Sequence, residues 1–188
     1  MKKVFWGVLL AMANLPSILL LVGMMFIRAQ MSPVVAVGMG LAAGLLTALG
    51  YFLIMQGSQE LPQTQNWHYA GSFSKILCAY QVAISVFHLL PLNLPSVVST
   101  ILSYITDFSS FLVMYFCVLG LRDLQYVSRT DLGAESVNKC FSAWVLLNLL
   151  SSLISGYIQF AAIAIYILML VLYGRAARRY EKRNITNF

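Results

Sequence analysis

The chain has 188 residues, of which 60% are hydrophobic and only 10% are charged. A soluble domain carries about 25% charged residues, so this composition excludes an ordinary soluble globular protein. The net charge of +6 does not point to nucleic acid as a partner, because the basic residues have no DNA- or RNA-binding fold around them.

Long apolar blocks, taken in chain order, predict six transmembrane helices. A bilayer core about 30 Å thick needs roughly 20 apolar residues per helix, and continuous apolar runs favour helices over barrel strands. The last block is too long for one helix, and Gly156 at its centre predicts a turn. The predicted spans are 4–27, 33–55, 73–91, 96–121, 139–155 and 158–176. We therefore expect an all-α polytopic integral membrane protein, in which residues 1–188 form a single six-helix transmembrane domain.

Basic residues are divided unequally between the two sides of this predicted bundle. Eleven of the twelve Lys and Arg residues fall on the side that holds both termini, and only Arg28 falls on the other. Because basic loops stay in the cytoplasm, both termini are predicted to be cytoplasmic. The long cytoplasmic loops are then 56–72 and 122–139. The predicted location is the cell membrane, as a multi-pass protein of the bacterial cytoplasmic membrane.

One charged residue, Asp107, lies inside an apolar span, and polar residues recur around it every three or four positions on one helical face. Counted from a turn at Asn93, Asp107 lies about 20 Å deep and Gln81 about 18 Å deep. Spans 3 and 5 also carry one polar face each, so a substrate-binding or ion-binding site is predicted between spans 3, 4 and 5. Its candidate residues are Asp107, Gln81, Tyr104, Asn148 and Ser103.

Two interpretations of Asp107 are open at this point. An ionisable group within the membrane is a functional-site candidate by default, and this one could bind a cation, relay a proton or meet a basic group of a substrate. In the other interpretation, the polar faces fasten helices together, and a protonated Asp107 donates a hydrogen bond to Gln81 or to a backbone carbonyl.

Span 2 carries small residues at four-residue intervals, a pattern that lets helix backbones approach closely. The predicted helix-packing residues are Ala36, Gly40, Gly44 and Ala48. The pattern fits packing within the bundle and packing against another membrane subunit equally well.

The sequence has no H-E-x-x-H, no G-x-S-x-G and no P-loop, so we predict a protein that is not an enzyme and has neither cofactor nor catalytic metal. The predicted function is a small transporter or a membrane-embedded substrate-binding subunit. The alternative is a non-catalytic accessory or scaffold subunit of a membrane complex. The predicted partners are the lipid bilayer and, through span 2 or the loops 56–72 and 122–139, other membrane subunits.

Overall fold

The computed structural model describes residues 1–12, 33–87, 96–151 and 157–186, and this part of the chain is helical without any strand. Its helices are α1 (Lys2–Met12), α2 (Pro33–Gln59), α3 (Gln65–Phe87), α4 (Ser96–Ser128), α5 (Ala134–Ser151) and α6 (Tyr157–Thr186). The predicted all-α class is confirmed. The predicted external connections around Arg28, Asn93 and Gly156 lie outside the described residues.

Four stretches of helix within the described ranges are long and apolar enough to cross a bilayer. They are Gly40–Gln59, Gln65–Phe87, Thr100–Ser128 and Phe160–Arg183. Large apolar side chains on these stretches point away from the protein; Ile76 and Phe108, for example, are 66% and 63% exposed. Such a surface is stable in lipid and not in water, which indicates a multi-pass membrane protein.

Several helices continue beyond the spans predicted from hydropathy. α3 begins at Gln65, eight positions before its predicted span, α4 runs on to Ser128, and α6 extends to Thr186. Hydropathy marks the part of a helix that suits lipid, whereas the backbone hydrogen-bond ladder continues through polar residues until a helix-breaking segment stops it. The loops between these helices are therefore short, at 60–64 and 129–133.

α2 and α3 form an antiparallel hairpin in which each helix places a glycine against a serine of the other. A Cβ atom on Gly44 would collide with the Ser85 hydroxyl, and a Cβ atom on Gly71 would collide with the Ser58 hydroxyl. Each serine instead donates a hydrogen bond within its own helix, Ser58 to the carbonyl of Met55 at 2.8 Å and Ser85 to that of Gln81 at 2.7 Å. The hydroxyls are thus satisfied where the helices meet.

α1 packs on α2 through backbone contacts that only small residues permit. A Cβ atom on Gly50 would lie 2.5 Å from the backbone nitrogen of Ala11, and one on Gly7 would lie 2.6 Å from the Gly50 carbonyl oxygen. Close approach of this kind maximises van der Waals contact, which drives association of membrane helices.

The helices divide into two groups by the extent of their contacts. In the first group, α1 packs extensively on α2, α2 on α3, and α3 on α4. In the second group, α5 packs extensively on α6. Contacts between the two groups are sparse, with α4 touching α5 and α1 touching α6 over small areas. The two groups are therefore joined by fewer contacts than hold consecutive helices together within each group.

Both ends of the chain and the loops at 60–64 and 129–133 lie at the same end of the bundle, which we call the basic end. The Lys2 ammonium lies 3.1 Å from the Glu181 carboxylate, and Lys3 pairs with Glu60. Asn66 donates a 2.8 Å hydrogen bond to Asp123. These contacts join α1 to α6, α1 to the first loop, and α3 to α4.

The buried core is concentrated toward the basic end. The Trp67 ring is fully buried and lies against Gly120 of α4, where a Cβ atom would come within 2.7 Å of it. A ring of this size, packed this closely, makes van der Waals contact with many atoms of both helices. Other large side chains with at most 1% exposure are Tyr51, Ile54, Met114, Leu121, Leu124, Tyr173 and Met169.

Substitution of Gly50 by alanine should separate α1 from α2. The new methyl group would meet backbone and Cβ atoms of Ala11 that no side-chain rotation can move aside, and overpacking of this kind costs about 1–3 kcal/mol. We expect a lower melting temperature in detergent. Gly40→Ala is the matched control in the same helix, because no described atom lies within 4 Å of its Cβ position. Equal melting temperatures for the two variants would contradict this packing.

Candidate functional site

A cavity of about 430 Å³ opens at the seam between the two helix groups. Helices α1, α4, α5 and α6 each contribute to its wall. The described residues that line it are Ala11, Asp107, Ser110, Phe111, Met114, Trp144, Asn148 and Tyr166. Small-molecule sites in proteins have volumes of about 300–1,000 Å³, so this cavity is large enough for a small ligand.

Asp107 is exposed within this cavity. Among the described residues, none donates a hydrogen bond to its carboxylate, and none forms an ion pair with it. The predicted alternative, in which Asp107 fastens two helices by a hydrogen bond to Gln81 or to a carbonyl, has no counterpart in this part of the chain. The exposed carboxylate instead lies in the wall of the cavity.

A hydrogen-bonded pair supports the wall behind Asp107. The Tyr51 hydroxyl of α2 lies 2.6 Å from Ser110 Oγ. Because Ser110 donates its own proton to the Thr106 carbonyl at 2.7 Å, the Tyr51 hydroxyl is the donor to Ser110. Tyr51 is only 1% exposed, so this bond fixes α4 against α2 from the protein interior.

Aromatic rings form the opposite wall. The Trp144 and Tyr166 ring centroids are 5.4 Å apart, so these side chains join α5 to α6 at the cavity. Trp144 also lies 5.9 Å from Phe141, which stacks on Phe111 of α4 at 5.6 Å. Edge-on and offset ring contacts of this kind are favourable beyond the area that they bury. The rings therefore connect the two helix groups at a place where few other contacts do.

The structure brings together some of the sequence-predicted site residues and not others. Asp107 and Asn148 line the same cavity, and the Asn148 amide nitrogen donates to the Trp144 carbonyl at 2.8 Å. Gln81, Ser103 and Tyr104 are not among the described residues that line it. Tyr104 is 71% exposed, and Ser103 is exposed as well.

The difference arises from how α4 is rotated. α4 does pack on α3, but it uses Phe116, which contacts the rings of Tyr69 and Phe73, and Gly120. Asp107 therefore lies on the side of α4 that faces α5 and α6, and the cavity that it lines is formed by α1, α4, α5 and α6. Trp144 could have been recognised in the sequence, because it lies four positions before Asn148 on the same helical face. Tyr166 lies in a uniformly apolar run that gives no such signal.

The predicted helix-packing residues of α2 differ in whether they contact another helix. Gly44 contacts Ser85 and Ala48 is 4% exposed, so both pack within the bundle. Gly40 has no described heavy atom within 4 Å of its Cβ position. Ala36 belongs to α2, and its side chain lies outside what the structure describes.

No group of three or more His, Cys, Asp or Glu side chains comes together within the described ranges. The Tyr166 hydroxyl is buried without a hydrogen-bond partner there. Comparison with protein families, curated proteins and solved structures gives no match to this chain.

Removal of the Tyr51 hydroxyl by Tyr51→Phe should lower the free energy of unfolding by about 1 kcal/mol, the net value of a typical hydrogen bond. Chemical unfolding in mixed micelles would measure the change. Ser110→Ala removes the same interaction, so the double variant should lose less than the sum of the two single losses. Tyr104→Phe is the control, since that hydroxyl is exposed. Fully additive losses would show that the two side chains do not interact.

Proposed function

We propose that this chain is a small membrane transporter, or a membrane-embedded substrate-binding subunit, whose site is the cavity around Asp107. The observation that carries the proposal is an exposed carboxylate without a partner among the described residues, placed in a cavity at the seam between two packed groups of helices. Charged groups inside membrane proteins are expensive and usually mark the path of a substrate or an ion.

The chemistry of the cavity favours a small organic cation as its ligand. Asp107 provides the negative charge, and the rings of Phe111, Trp144 and Tyr166 line the same space. A cation is attracted both by a carboxylate and by the face of an aromatic ring, and together these groups bind substituted ammonium ions. A single carboxylate is a poor site for a divalent metal, which prefers several oxygen ligands.

The position of the cavity supports transport rather than storage of a ligand. Transporters commonly place their substrate between two bodies that move relative to each other, so that the site opens to either side in turn. Here the α1–α4 group and the α5–α6 pair meet over little area, and both contribute residues to the lining of the cavity. A relative movement of the two groups would change the access to Asp107 without disturbing either group internally.

Asp107→Asn tests this function directly. The substitution keeps the shape of the side chain and removes its charge, so binding of choline should fall about tenfold to a hundredfold, because the Coulomb attraction between the carboxylate and the cation, about 1–4 kcal/mol, is lost. The measurement is a thermal-shift and calorimetric titration of the purified protein with choline and with 3,3-dimethylbutanol, its uncharged isostere. Wild-type protein should prefer choline, and Asp107→Asn should lose that preference.

Two variants serve as controls for this titration. Glu135→Gln removes a carboxylate that pairs with Lys139 at 2.7 Å, far along α5 from the cavity, and Tyr104→Phe alters a residue outside the lining. Both should bind as the wild type does. The proposal would be contradicted if folded Asp107→Asn protein bound choline and 3,3-dimethylbutanol with the same affinities as the wild type. That result would favour the accessory or scaffold subunit.

We further propose that the bundle crosses a bacterial cytoplasmic membrane six times, with both termini in the cytoplasm. The clustering of both chain ends and the loops at 60–64 and 129–133 at the basic end supports this arrangement, as does the distribution of Lys and Arg.

Reporter fusions test this topology. An alkaline phosphatase fused after Asn93 or after Gly156 should be active, because those positions would lie outside, and fusions after Asn66 or Arg129 should be inactive. A fluorescent protein, which matures only in the cytoplasm, should give the reverse pattern. Alkaline phosphatase activity in all four fusions, or in none of them, would refute the six-span arrangement.

A further inference from the structure

A second, separate groove of about 370 Å³ runs between α1 and α6 near the basic end. Its apolar part consists of Phe5 and Trp6 from α1 and of Leu170 and Val171 from α6. Trp6 is 52% exposed, as an aromatic side chain at a membrane surface would be. The groove thus offers an apolar surface that opens to the outside of the bundle.

The floor of the groove exists because α6 carries a glycine there. A Cβ atom on Gly174 would lie 3.0 Å from the Phe5 ring, so α1 and α6 approach closely at this point. Val171, Gly174 and Arg178 recur at three- and four-residue intervals, which puts them on one face of α6. Along this face the side chains change from apolar to basic, so one end of the groove is apolar and the other end is basic.

Basic side chains form the polar end of the groove. Arg175 and Arg178 are exposed, and neither forms an ion pair or a hydrogen bond with any described residue. Lys2 lines the groove too, but its ammonium pairs with Glu181 at 3.1 Å. Two guanidinium groups therefore stand at the end of an apolar groove without an ion-pair partner among the described residues.

The neighbouring arginines of α6 differ from Arg175 and Arg178, because they donate hydrogen bonds within the protein. Arg179 donates to the Asp131 carbonyl at 3.4 Å, and Arg183 donates to the Ser128 carbonyl, so both are used to hold the loop at 129–133. These two arginines have a structural role at the basic end. Arg175 and Arg178 have no comparable contact.

We propose that this groove binds one anionic phospholipid of the surrounding membrane. The acyl chain lies along Phe5, Trp6, Leu170 and Val171, and the phosphate accepts hydrogen bonds from Arg175 and Arg178. Guanidinium groups are well suited to phosphate, since they present paired N–H donors. Basic pockets between transmembrane helices on the cytoplasmic side recognise lipid headgroups by this chemistry. A soluble phosphate would use only the polar end of the groove.

Native mass spectrometry of the detergent-purified protein tests the headgroup contact. The protein is titrated with phosphatidylglycerol and with phosphatidylcholine of the same acyl chains, and wild type should retain phosphatidylglycerol preferentially. Arg175→Gln/Arg178→Gln should reduce that preference by up to about thirtyfold, the effect expected for two basic residues near anionic lipid. Unchanged preference in this double variant would overturn the proposal.

Arg122→Gln/Arg129→Gln is the charge-matched control. These arginines are exposed and do not line the groove, so the control should keep the wild-type preference. An equal loss in both double variants would show attraction to total charge and would overturn the proposal. Displacement of the lipid by millimolar inorganic phosphate alone would assign the arginines to a soluble anion instead.

The apolar contact has an independent measurement that leaves the arginines intact. Phosphatidylglycerol with brominated acyl chains should quench tryptophan fluorescence more than brominated phosphatidylcholine does, because the bound chain lies against Trp6. Trp6→Phe should remove this excess quenching while Trp67 and Trp144 remain. Excess quenching that survives in Trp6→Phe would place the lipid elsewhere on the protein.

Discussion

The bundle depends on helix backbones that come into direct contact, and glycine makes that contact possible. In lipid, burying an apolar side chain between helices gains little, because the lipid is as apolar as the side chain. Stability must then come from close packing, which weakens steeply when a gap opens. Gly7 and Gly50 bring α1 onto α2, and Gly120 receives the Trp67 ring between α3 and α4. The tightest contacts lie within the α1–α4 group, and the seam with α5–α6 is left comparatively open.

Both candidate binding sites follow from that uneven packing. The Asp107 cavity lies at the seam, where α4 and α1 face α5 and α6, and the basic groove lies between α1 and α6 toward the chain ends. α1 contributes to both through Ala11 in one and Phe5 and Trp6 in the other. Residues that bind α1 to α2 thereby also fix one wall of each site, so the packing of α1 and the shape of the sites are linked.

The helical class, and the choice of Asp107 and Asn148 as residues of one polar cavity, could be predicted from the sequence, because apolar length and residue spacing are properties of single helices. The rotation of one helix against another is different, since it depends on which side chains pack best. Counting depth from a turn puts Gln81 level with Asp107 but cannot tell whether they face each other. Phe116 and Gly120 decide that rotation, and their spacing in the sequence carries no polar signal. The small-residue pattern of span 2 is limited in the same way. It predicts close packing of the helix, but not which of its residues contacts a neighbouring helix.

The glycine–serine contacts of α2 and α3 have a mechanical consequence. Gly44 and Ser58 are separated by about four helical turns, and Gly71 and Ser85 have the same separation, so the two contacts form or break together. Sliding one helix past the other by a single turn would place the Ser58 hydroxyl opposite Trp67 or Lys75 in place of Gly71. The hairpin therefore favours one register. Within the described residues α2 and α3 do not pack on α5 or α6, so this hairpin borders the Asp107 cavity only through its contacts with α1 and α4.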